Sequence, residues 1–374
     1  MKPHNHNMSV LKRAYTISVK SAAALITAAM LTPVAFTGAV SANEALAEPA
    51  QKPDRLIVRT WGGAWRSSYE AGAAASFTAK TGIPVEFDGT GTSEIQAKIL
   101  QAVRAKTRPP VDVVLSVGSL AYAAQVQKIS IPLDEHILTN VDQLSSIAMP
   151  EGTDNYLNVS TYSQPIVYNP DLVDMPDSIS WEEIFDDKYA GKLFVTNTFA
   201  SLLHPVAKML DLDPATDDLT PVFEKIASLK TSISAMGDEE EFVAGIEAGE
   251  VTIGVTLVGT ALEVGGLKWI VPEEGAVIGT ESFYVPAGLP DDVAYWAQVF
   301  INETISAANQ SAFAAAVGEV PVNVNAVMPE FMIGDPAFPF SEEDLGKYGI
   351  VTSVELDARN RDKWQAAYTA AIQR

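Results

Sequence analysis

The sequence predicts an α/β fold made of two lobes. From Leu56 to Val317, short apolar strand-like segments alternate with helical segments, which is the pattern of layered, largely parallel α/β structure. About 327 residues follow a leader-like opening, and one hydrophobic core rarely serves so many. No internal repeat, heptad run or low-complexity segment follows residue 50. The pattern and the length together therefore favour two α/β lobes.

The opening of the chain predicts a removable export signal at residues 1–47. Four basic residues precede an apolar stretch from Ala22 to Phe36, and small residues follow at Ala42 and Ala47. A basic start, an apolar middle and a small-residue exit are the parts of a secretory signal. The middle is broken by Thr and Pro and falls short of the ~20 apolar residues of a spanning helix. We expect cleavage after Ala47, or after Ala42, and a periplasmic mature protein.

Composition excludes several classes of function. The 374-residue chain has a formal net charge of −22, and removal of residues 1–47 makes this −25, because they hold four basic residues and one acid. Such a charge repels nucleic acid and anionic lipid at long range. The chain has no cysteine, which excludes disulfides, thiolate metal sites and a lipid-modified N-terminal cysteine. We expect a soluble exported monomer that does not bind nucleic acid.

Strands and helices alternate in the first part of the mature chain. The apolar run at 56–58 predicts a buried strand that ends at Trp61. A second strand is predicted at 83–87, and Ser93 with Gln96 forms a capping-box signature for the helix after it. A third strand at 111–115 leads into another helix. Between the first two strands, a four-residue apolar spacing predicts a helix that Gly82 ends as a left-handed cap; the spaced residues are Trp65, Tyr69, Ala73 and Phe77.

The same alternation resumes later in the chain. Further strands are predicted at 166–168, 193–196, 251–256 and 282–285. Helical patterns cover 219–229, 240–248 and 292–317, the last broken near Thr304. A final stretch with Trp364 and Tyr368 is predicted to pack back onto the lobes as a helix.

Catalytic and metal-binding patterns are absent from the mature sequence. His136 and His204 are its two histidines, and neither has a carboxylate-rich helix pattern beside it. A metal triad or a Ser/His/Asp triad needs at least one organised histidine. No nucleophile elbow, zinc-binding helix motif or phosphate-binding glycine loop with lysine occurs. We therefore predict no catalytic residue, no metal and no cofactor, and a ligand carrier is the simplest function.

Several short segments follow one another in a specific order along the chain. They are Thr-Gly-Ile-Pro-Val at 81–85, Glu-Ile-Gln-Ala-Lys at 94–98, Asp-Val-Val at 112–114, Ile-Val-Tyr-Asn at 166–169, Ser-Trp-Glu-Glu-Ile-Phe-Asp at 180–186, Tyr-Ala-Gly-Lys-Leu at 189–193, Gly-Glu-Val at 249–251 and Val-Pro-Glu-Glu-Gly at 271–275. In this order and spacing, the chain resembles the solute-binding proteins of ABC importers, specifically the spermidine/putrescine-binding type. The resemblance covers nearly all of the mature chain.

The resemblance implies a two-lobed periplasmic binding protein fold (type II), with a hinge between two discontinuous α/β lobes. It places the first lobe at 55–161 and 281–345, the second at 162–280, and a C-terminal helical segment at 346–374. The lobes would close over a solute by a hinge motion driven by contacts that only the closed state makes. The implied partners are a small-molecule solute and an inner-membrane ABC permease that receives it.

The resemblance also implies two binding residues. Polyamine binders hold ammonium groups with acidic side chains and sandwich the methylene chain between aromatic rings. Trp61 matches a cleft tryptophan of this family, just after the first strand. Glu281 matches an acidic ligand residue.

Other positions depart from the polyamine-binding pattern. Where the family has aromatic or acidic residues, this chain has Gly279, Leu257, Asn197 with Thr198, and the segment 117–119. One remaining carboxylate supports one ammonium group or several hydroxyl contacts. A smaller amine, an amino-acid derivative or an opine-like compound is therefore favoured over spermidine or putrescine.

The candidate ligand-binding residues lie at strand ends and at the crossover between the lobes. Beside Trp61, two glycines let the backbone approach a ligand closely, although a core tryptophan is the structural alternative. At the end of the third strand, Ser116 and the amides after it can hold a polar or anionic group, or the serine can cap the next helix. The full set is Trp61, Gly62, Ser116, Tyr162, Gln164, Asn197, Thr198 and Glu281.

The favoured function is the periplasmic substrate-binding component of an ABC transporter that captures a small polar or amine-bearing solute. Two alternatives stay open. An exported enzyme on the same fold would turn its solute over, and turnover would be lost on Glu281→Gln. A solute sensor would use the same cleft but would present the bound solute to a receptor.

Overall fold

Two β-sheets organise residues 48–373, the part of the chain that the computed structural model describes. The export signal predicted at residues 1–47, with its two cleavage sites, lies outside this part. Within it, no helix has both the length and the apolar character needed to cross a membrane.

The elements follow in chain order. The strands are β1 (Leu56–Arg59), β2 (Val85–Asp88), β3 (Val113–Val117), β4 (Tyr156–Gln164), β5 (Ile166–Tyr168), β6 (Leu193–Thr196), β7 (Ile233–Gly237), β8 (Ile253–Val255), β9 (Lys268–Ile270), β10 (Ala276–Tyr284), β11 (Val320–Pro321) and β12 (Gly349–Val351). The α-helices are α1 (Gly63–Tyr69), α2 (Ala75–Thr81), α3 (Thr92–Ala105), α4 (Gly118–Val126), α5 (Ala200–Met209), α6 (Thr220–Ala227), α7 (Glu239–Glu247), α8 (Val258–Val264), α9 (Asp291–Thr304), α10 (Ala307–Val317), α11 (Glu342–Tyr348) and α12 (Val354–Ile372).

The larger sheet is mixed. Its strands lie in the order β11-β4-β10-β3-β1-β2, and β12 pairs with β10 as a seventh strand. β1 is parallel to β2 and β3, as predicted, but β10 is antiparallel to β3 and β4. Neither β4 nor the first half of β10 was predicted from the sequence. Polar residues such as Asn158 and Ser160 are buried in β4, so an apolar alternation does not mark it.

The chain crosses between the sheets twice. The smaller sheet has the order β7-β6-β8-β5-β9. β4 ends in the larger sheet at Gln164, and β5 begins in the smaller sheet at Ile166. The chain returns between Ile270, the end of β9, and Ala276, the start of β10. The larger sheet thus takes strands from both ends of the described chain, whereas the smaller sheet is built from the single stretch that holds β5 to β9. The two-lobed α/β fold class is confirmed, but only the larger sheet is discontinuous.

A π-helical turn at Glu70–Ala74 joins α1 to α2. An apolar spacing of exactly four residues drifts around an α-helix with 3.6 residues per turn, and a wider π turn offsets this drift. Ala73 and Phe77 are accordingly both buried. Gly82 has φ +76°, and its N–H donates to the Thr78 carbonyl at 2.8 Å, so the predicted helix end is confirmed.

The capping box predicted at Ser93 and Gln96 is wrong. α3 begins at Thr92 with Gly91 as its N-cap, and no side chain caps it. The Gln96 amide instead donates to the Leu120 carbonyl at 3.1 Å, which ties α3 to α4. The first turn of α3 therefore keeps N–H groups that no side chain satisfies.

The C-terminal helix α12 packs against the core of the smaller sheet. Trp364 and Tyr368 are buried there, and the Trp364 ring lies edge-on to Phe199 with 5.6 Å between centroids. The Tyr368 hydroxyl donates to the Thr196 carbonyl at 2.7 Å. These contacts attach α12 to the end of β6 and the start of α5.

Candidate functional site

A cavity of about 290 Å³ lies between elements of the two sheets. This volume is at the lower end of the range for small-molecule pockets, so it suits a small metabolite. The wall residues come from the larger sheet and its helices, from the β6–α5 connection, and from the C-terminal segment. They are Trp61, Thr92, Ser93, Val117, Gly118, Ser119, Leu120, Tyr162, Gln164, Asn197, Thr198, Phe199, Ala200, Val277, Gly279, Thr280, Thr352, Val354, Asp357 and Arg361.

Trp61 forms a fixed aromatic part of this wall, two residues after β1. Its indole N–H donates to the Glu281 carboxylate, with 2.9 Å between Nε1 and Oε2. The Arg59 guanidinium lies over the indole ring, 3.9 Å from its centroid, and donates to the carbonyls of Thr90 and Leu115. The ring is therefore held at its edge and on one face.

A second buried carboxylate, Glu319, acts on Glu281. The Trp65 indole N–H donates to one Glu319 oxygen at 3.0 Å, and the Ser160 hydroxyl donates to the other. Ser160 pairs with Glu281 on one side and with Pro321 on the other, which brings the two carboxylates to either side of one serine. The inference of a single carboxylate at this site is therefore wrong, because strand pairing joins residues that are far apart in sequence.

Burial and mutual repulsion keep this acid pair from holding two full charges. Burial raises the pKa of Glu281 well above its usual range and the charge of Glu319 raises it further, while the Trp61 hydrogen bond and Arg59 oppose both effects. Burial also raises the pKa of Glu319 to about 7 against its two hydrogen bonds. Glu239, at the start of α7, adds negative charge from the smaller sheet. Among residues 48–373, no group of three or more metal-ligating side chains is placed to hold a metal ion.

Tyr162 covers Gly279 on the neighbouring strand. The two residues pair directly across β4 and β10, and a Cβ placed on Gly279 would lie 2.2 Å from Cζ of the tyrosine. The aromatic ring expected at position 279 is thus supplied by the opposite strand. Burial, with Glu281 and Glu319, raises the pKa of Tyr162 well above its usual range, so its hydroxyl stays protonated.

α12 adds two charged residues to the cavity wall, Asp357 and Arg361, one helical turn apart. Nε2–H of His204 in α5 donates to Oδ1 of Asp357 at 2.9 Å, and both side chains are buried. Arg361 makes no ion pair or hydrogen bond with any residue in the described range 48–373. Burial lowers the pKa of Arg361, although Asp362 and Asp357 favour its charged form.

The family model of bacterial extracellular solute-binding proteins matches residues 72–339, which is more than half of the chain. The chain belongs to this family. The match takes in β2 to β11, and with them strands of both sheets. The resemblance inferred from short sequence segments is confirmed at the family level. No curated protein sequence matches the chain significantly.

Solved structures share the fold of this solute-binding protein. The structure of the Atu4243–GABA receptor is 22% identical with a TM-score of 0.71, covering 86% of this chain and 98% of that chain. The spermidine/putrescine ABC transporter substrate-binding protein PotD from Streptococcus pneumoniae, in complex with calcium and HEPES, is 18% identical with a TM-score of 0.69, covering 85% and 98%. MotA from A. tumefaciens B6, in complex with glucopine, is 19% identical with a TM-score of 0.70, covering 85% and 100%.

Five of the eight predicted ligand residues of this solute-binding protein line the cavity. Glu281 lies behind Trp61, to which its carboxylate is bonded. Ser116 is fully buried, does not line the cavity and does not cap α4, whose N-cap is Val117. Gly62 is exposed and outside the cavity wall. The five that line it are Trp61, Tyr162, Gln164, Asn197 and Thr198.

Several residues of the site were not predicted from the sequence. Glu319 could have been predicted, because it is a single acid among apolar residues that continue into β11. An acid in such a segment is rarely buried unless it has a partner, so it indicates a functional or paired carboxylate. Arg361 and Asp357 carried none, since charged residues four apart are ordinary on a helix. Thr92 and Thr280 also line the cavity, and their buried hydroxyls have no hydrogen-bond partner among the described residues.

Proposed function

We propose that this solute-binding protein is the substrate-binding component of an ABC importer, which captures a small amine-bearing solute and delivers it to an inner-membrane permease. The observation that carries the proposal is Trp61 at the cavity wall, with its N–H bonded to the buried Glu281 carboxylate. An aromatic face attracts a cation, and a carboxylate behind the ring strengthens the local negative potential. Polar groups of Tyr162, Gln164 and Thr198 supply hydrogen bonds for the rest of the solute.

Charge and relatives support the amine-bearing class. Glu281 and Glu319, which together hold fewer than two full charges, and Glu239 make the surroundings of Trp61 negative, and Arg59 is the opposing cation. The structural relatives include a GABA receptor and a spermidine/putrescine-binding protein, and both of these names denote amines. Polyamine-like, opine-like and amino-acid-derived solutes therefore form the class to be screened.

The proposed motion is closure of two lobes about a hinge. We assign the first lobe to 55–161 and 281–345, the second to 162–280, and the C-terminal helical segment to 346–374. The two crossings of the chain between the sheets support a hinge at residue 165 and at 271–275. A solute touching both lobes favours the closed state by its contacts in that state alone.

A thermal-shift screen tests the proposal. The probes are putrescine, spermidine, 4-aminobutyrate and glucopine, with glucose and butyrate as amine-free controls. At a hundredfold excess over Kd, a bound solute stabilises the folded state by about 2.7 kcal/mol, which raises Tm by several degrees. Trp61→Leu should abolish the shift, and Phe331→Leu, an exposed aromatic outside the cavity, should keep it. The proposal fails if no amine raises Tm or if glucose raises it equally.

We also propose that the protein is a periplasmic monomer and that it leaves its solute chemically unchanged. Mass spectrometry of the exported protein should give an N-terminus at Glu48, or at Asn43 if cleavage follows Ala42. Light scattering should give the mass of one chain with and without solute. Solute recovered from the denatured protein should be identical to the solute added, whereas a new product would favour the enzyme alternative.

A further inference from the structure

Arg361 presents to the cavity a guanidinium that has no direct ion-pair or hydrogen-bond partner among residues 48–373. It lines the wall and is half-buried. Its neighbour Arg359, on the exposed side of the same helix, is paired with Glu355. A guanidinium that loses hydration without a partner is costly, and a partly desolvated arginine on a cavity wall is matched by an anion.

The acid one helical turn before Arg361 is already engaged. Asp357 accepts a hydrogen bond from His204 at 2.9 Å, and burial holds both side chains in this arrangement. Asp362 favours the charged form of Arg361 but is exposed to solvent. Neither carboxylate forms an ion pair with Arg361, so its donor groups remain available to a bound molecule.

Two helices begin at the same cavity without side-chain caps. α3 starts at Thr92 and α4 starts at Gly118, and both residues line the wall. The first-turn N–H groups of a helix carry partial positive charge and bind anions. A second feature points to a ligand here, because Thr92 is 8% exposed and its hydroxyl has no hydrogen-bond partner among the described residues.

We propose that the solute carries a carboxylate in addition to its amine, and that Arg361 with the starts of α3 and α4 forms the carboxylate subsite. This inference rests on the proposed function, since it assigns a second charged group of the same solute to residues of the same cavity. Trp61, backed by Glu281 and Glu319, faces the amine. A planar carboxylate suits one arginine fork, and its single negative charge is matched by that one free guanidinium.

A fragment titration tests the subsite without knowledge of the whole solute. Protein labelled with ¹⁵N-arginine is titrated with sodium acetate, with methylammonium chloride, and with sodium chloride at equal ionic strength. We expect acetate to shift the Arg361 Nε–H signal saturably, and the two other salts not to do so. The signal is assigned by its loss in Arg361→Lys, and Arg359 on the same helix is the internal control. The subsite is refuted if acetate gives no saturable shift at Arg361, or the same shift at Arg359.

Matched probes then test selectivity by calorimetry. Arg361→Gln should weaken binding of 4-aminobutyrate about 10- to 100-fold, the range for hydrogen bonds to charged groups, and should change binding of butylamine less than about twofold. Arg361→Lys should restore part of the loss. An equal loss for both probes would overturn the inference. Failure of every amine in the thermal-shift screen would instead refute the proposed function, and the acetate titration would still decide the carboxylate subsite.

Discussion

The indole N–H of Trp61 donates to the carboxylate of Glu281 across 220 residues of sequence, with 2.9 Å between Nε1 and Oε2. β1 and β10 are not neighbours, because β3 lies between them. The bond therefore spans a strand and fixes the ring that lines the cavity. It also places Glu281 behind the ring, as seen from the cavity. The geometry therefore favours an indirect effect, in which the carboxylate strengthens the attraction of the indole for a cation and does not contact the solute.

Glu281→Gln should test this indirect action. The glutamine oxygen can still accept the indole hydrogen bond, but the side chain carries no charge. A bound ammonium group lowers the pKa of Glu281 and so favours its charged form in the complex, which glutamine cannot adopt. We expect the affinity for an amine that stabilises the wild type to fall about tenfold, because a charge that reinforces cation binding at an aromatic face contributes roughly 1–2 kcal/mol. Isothermal titration calorimetry measures the change, with Glu224→Gln, an exposed carboxylate on α6, as the control. Equal affinities for wild type and Glu281→Gln would contradict the idea.

Glu319 should give the folding stability a pH dependence of defined sign. Its pKa in the folded protein is about 7, whereas glutamate in an unfolded chain titrates near ~4.3. Between these values the folded state binds more protons than the unfolded state, so the free energy of unfolding falls as pH rises through this window. Over the full window the corresponding free energy is on the order of 4 kcal/mol, of which roughly 3 kcal/mol falls between pH 5 and pH 8.

Glu319→Gln removes one of the two buried acids and should weaken that dependence, while Glu281, whose pKa burial also raises, supplies the remainder. We take the free energy of unfolding of the variant minus that of the wild type at each pH. This difference should be about 3 kcal/mol more positive at pH 8 than at pH 5. Urea unfolding at both pH values measures the difference. Glu224→Gln should follow the wild type at both. A stability difference between Glu319→Gln and wild type that is the same at pH 5 and pH 8 would exclude the titration of Glu319 as its source.

Elements with a simple apolar pattern could be predicted from the sequence. The helix end at Gly82 and the break after Thr304, between α9 and α10, follow from local chemistry, and the structure has both. β4 could not be found in this way, because buried polar residues such as Asn158 bond across the sheet, here to Ser282 at 2.7 Å. Such partners exist only after the strands have paired.

The candidate site was predictable in part for the same reason. Trp61 lies just after β1 and Tyr162 lies near the end of β4, in the region where α/β folds place ligands, and both line the cavity. Glu319 is brought to the site by the short edge strand β11 that follows it, and Arg361 by the last helix, α12. The sequence around each residue does not indicate these positions. Individual residues of a cleft that is assembled from distant segments can be predicted from the sequence. The sum of the charges around that cleft cannot, because it depends on which segments the fold brings together.

The close approach of Tyr162 to Gly279 predicts a non-additive pair of mutations. Gly279→Ala places a Cβ 2.2 Å from Cζ of Tyr162, so the ring must move, and overpacking of this kind costs about 1–3 kcal/mol. In a Tyr162→Ala background the same substitution should cost less than about 1 kcal/mol. Urea unfolding of the wild type, the two single variants and the double variant completes this double-mutant cycle. Gly89→Ala, where a Cβ meets open space, is the control, and additive effects of the pair would refute the steric account.

The hydrogen bond from Tyr368 to the Thr196 carbonyl predicts that the last helix stabilises both the fold and the cavity wall. Tyr368→Phe removes the donor of a buried 2.7 Å bond and should lower the free energy of unfolding by about 1–2 kcal/mol. Because α12 also carries Arg361, looser attachment should speed hydrogen exchange in α12 before it affects the larger sheet. Tyr295→Phe is the control, since the Tyr295 hydroxyl has no hydrogen-bond partner within residues 48–373. Tyr368→Phe could instead lower the free energy of unfolding by the full amount and leave hydrogen exchange in α12 unchanged. That result would show that the bond stabilises the core but does not hold the cavity wall in place.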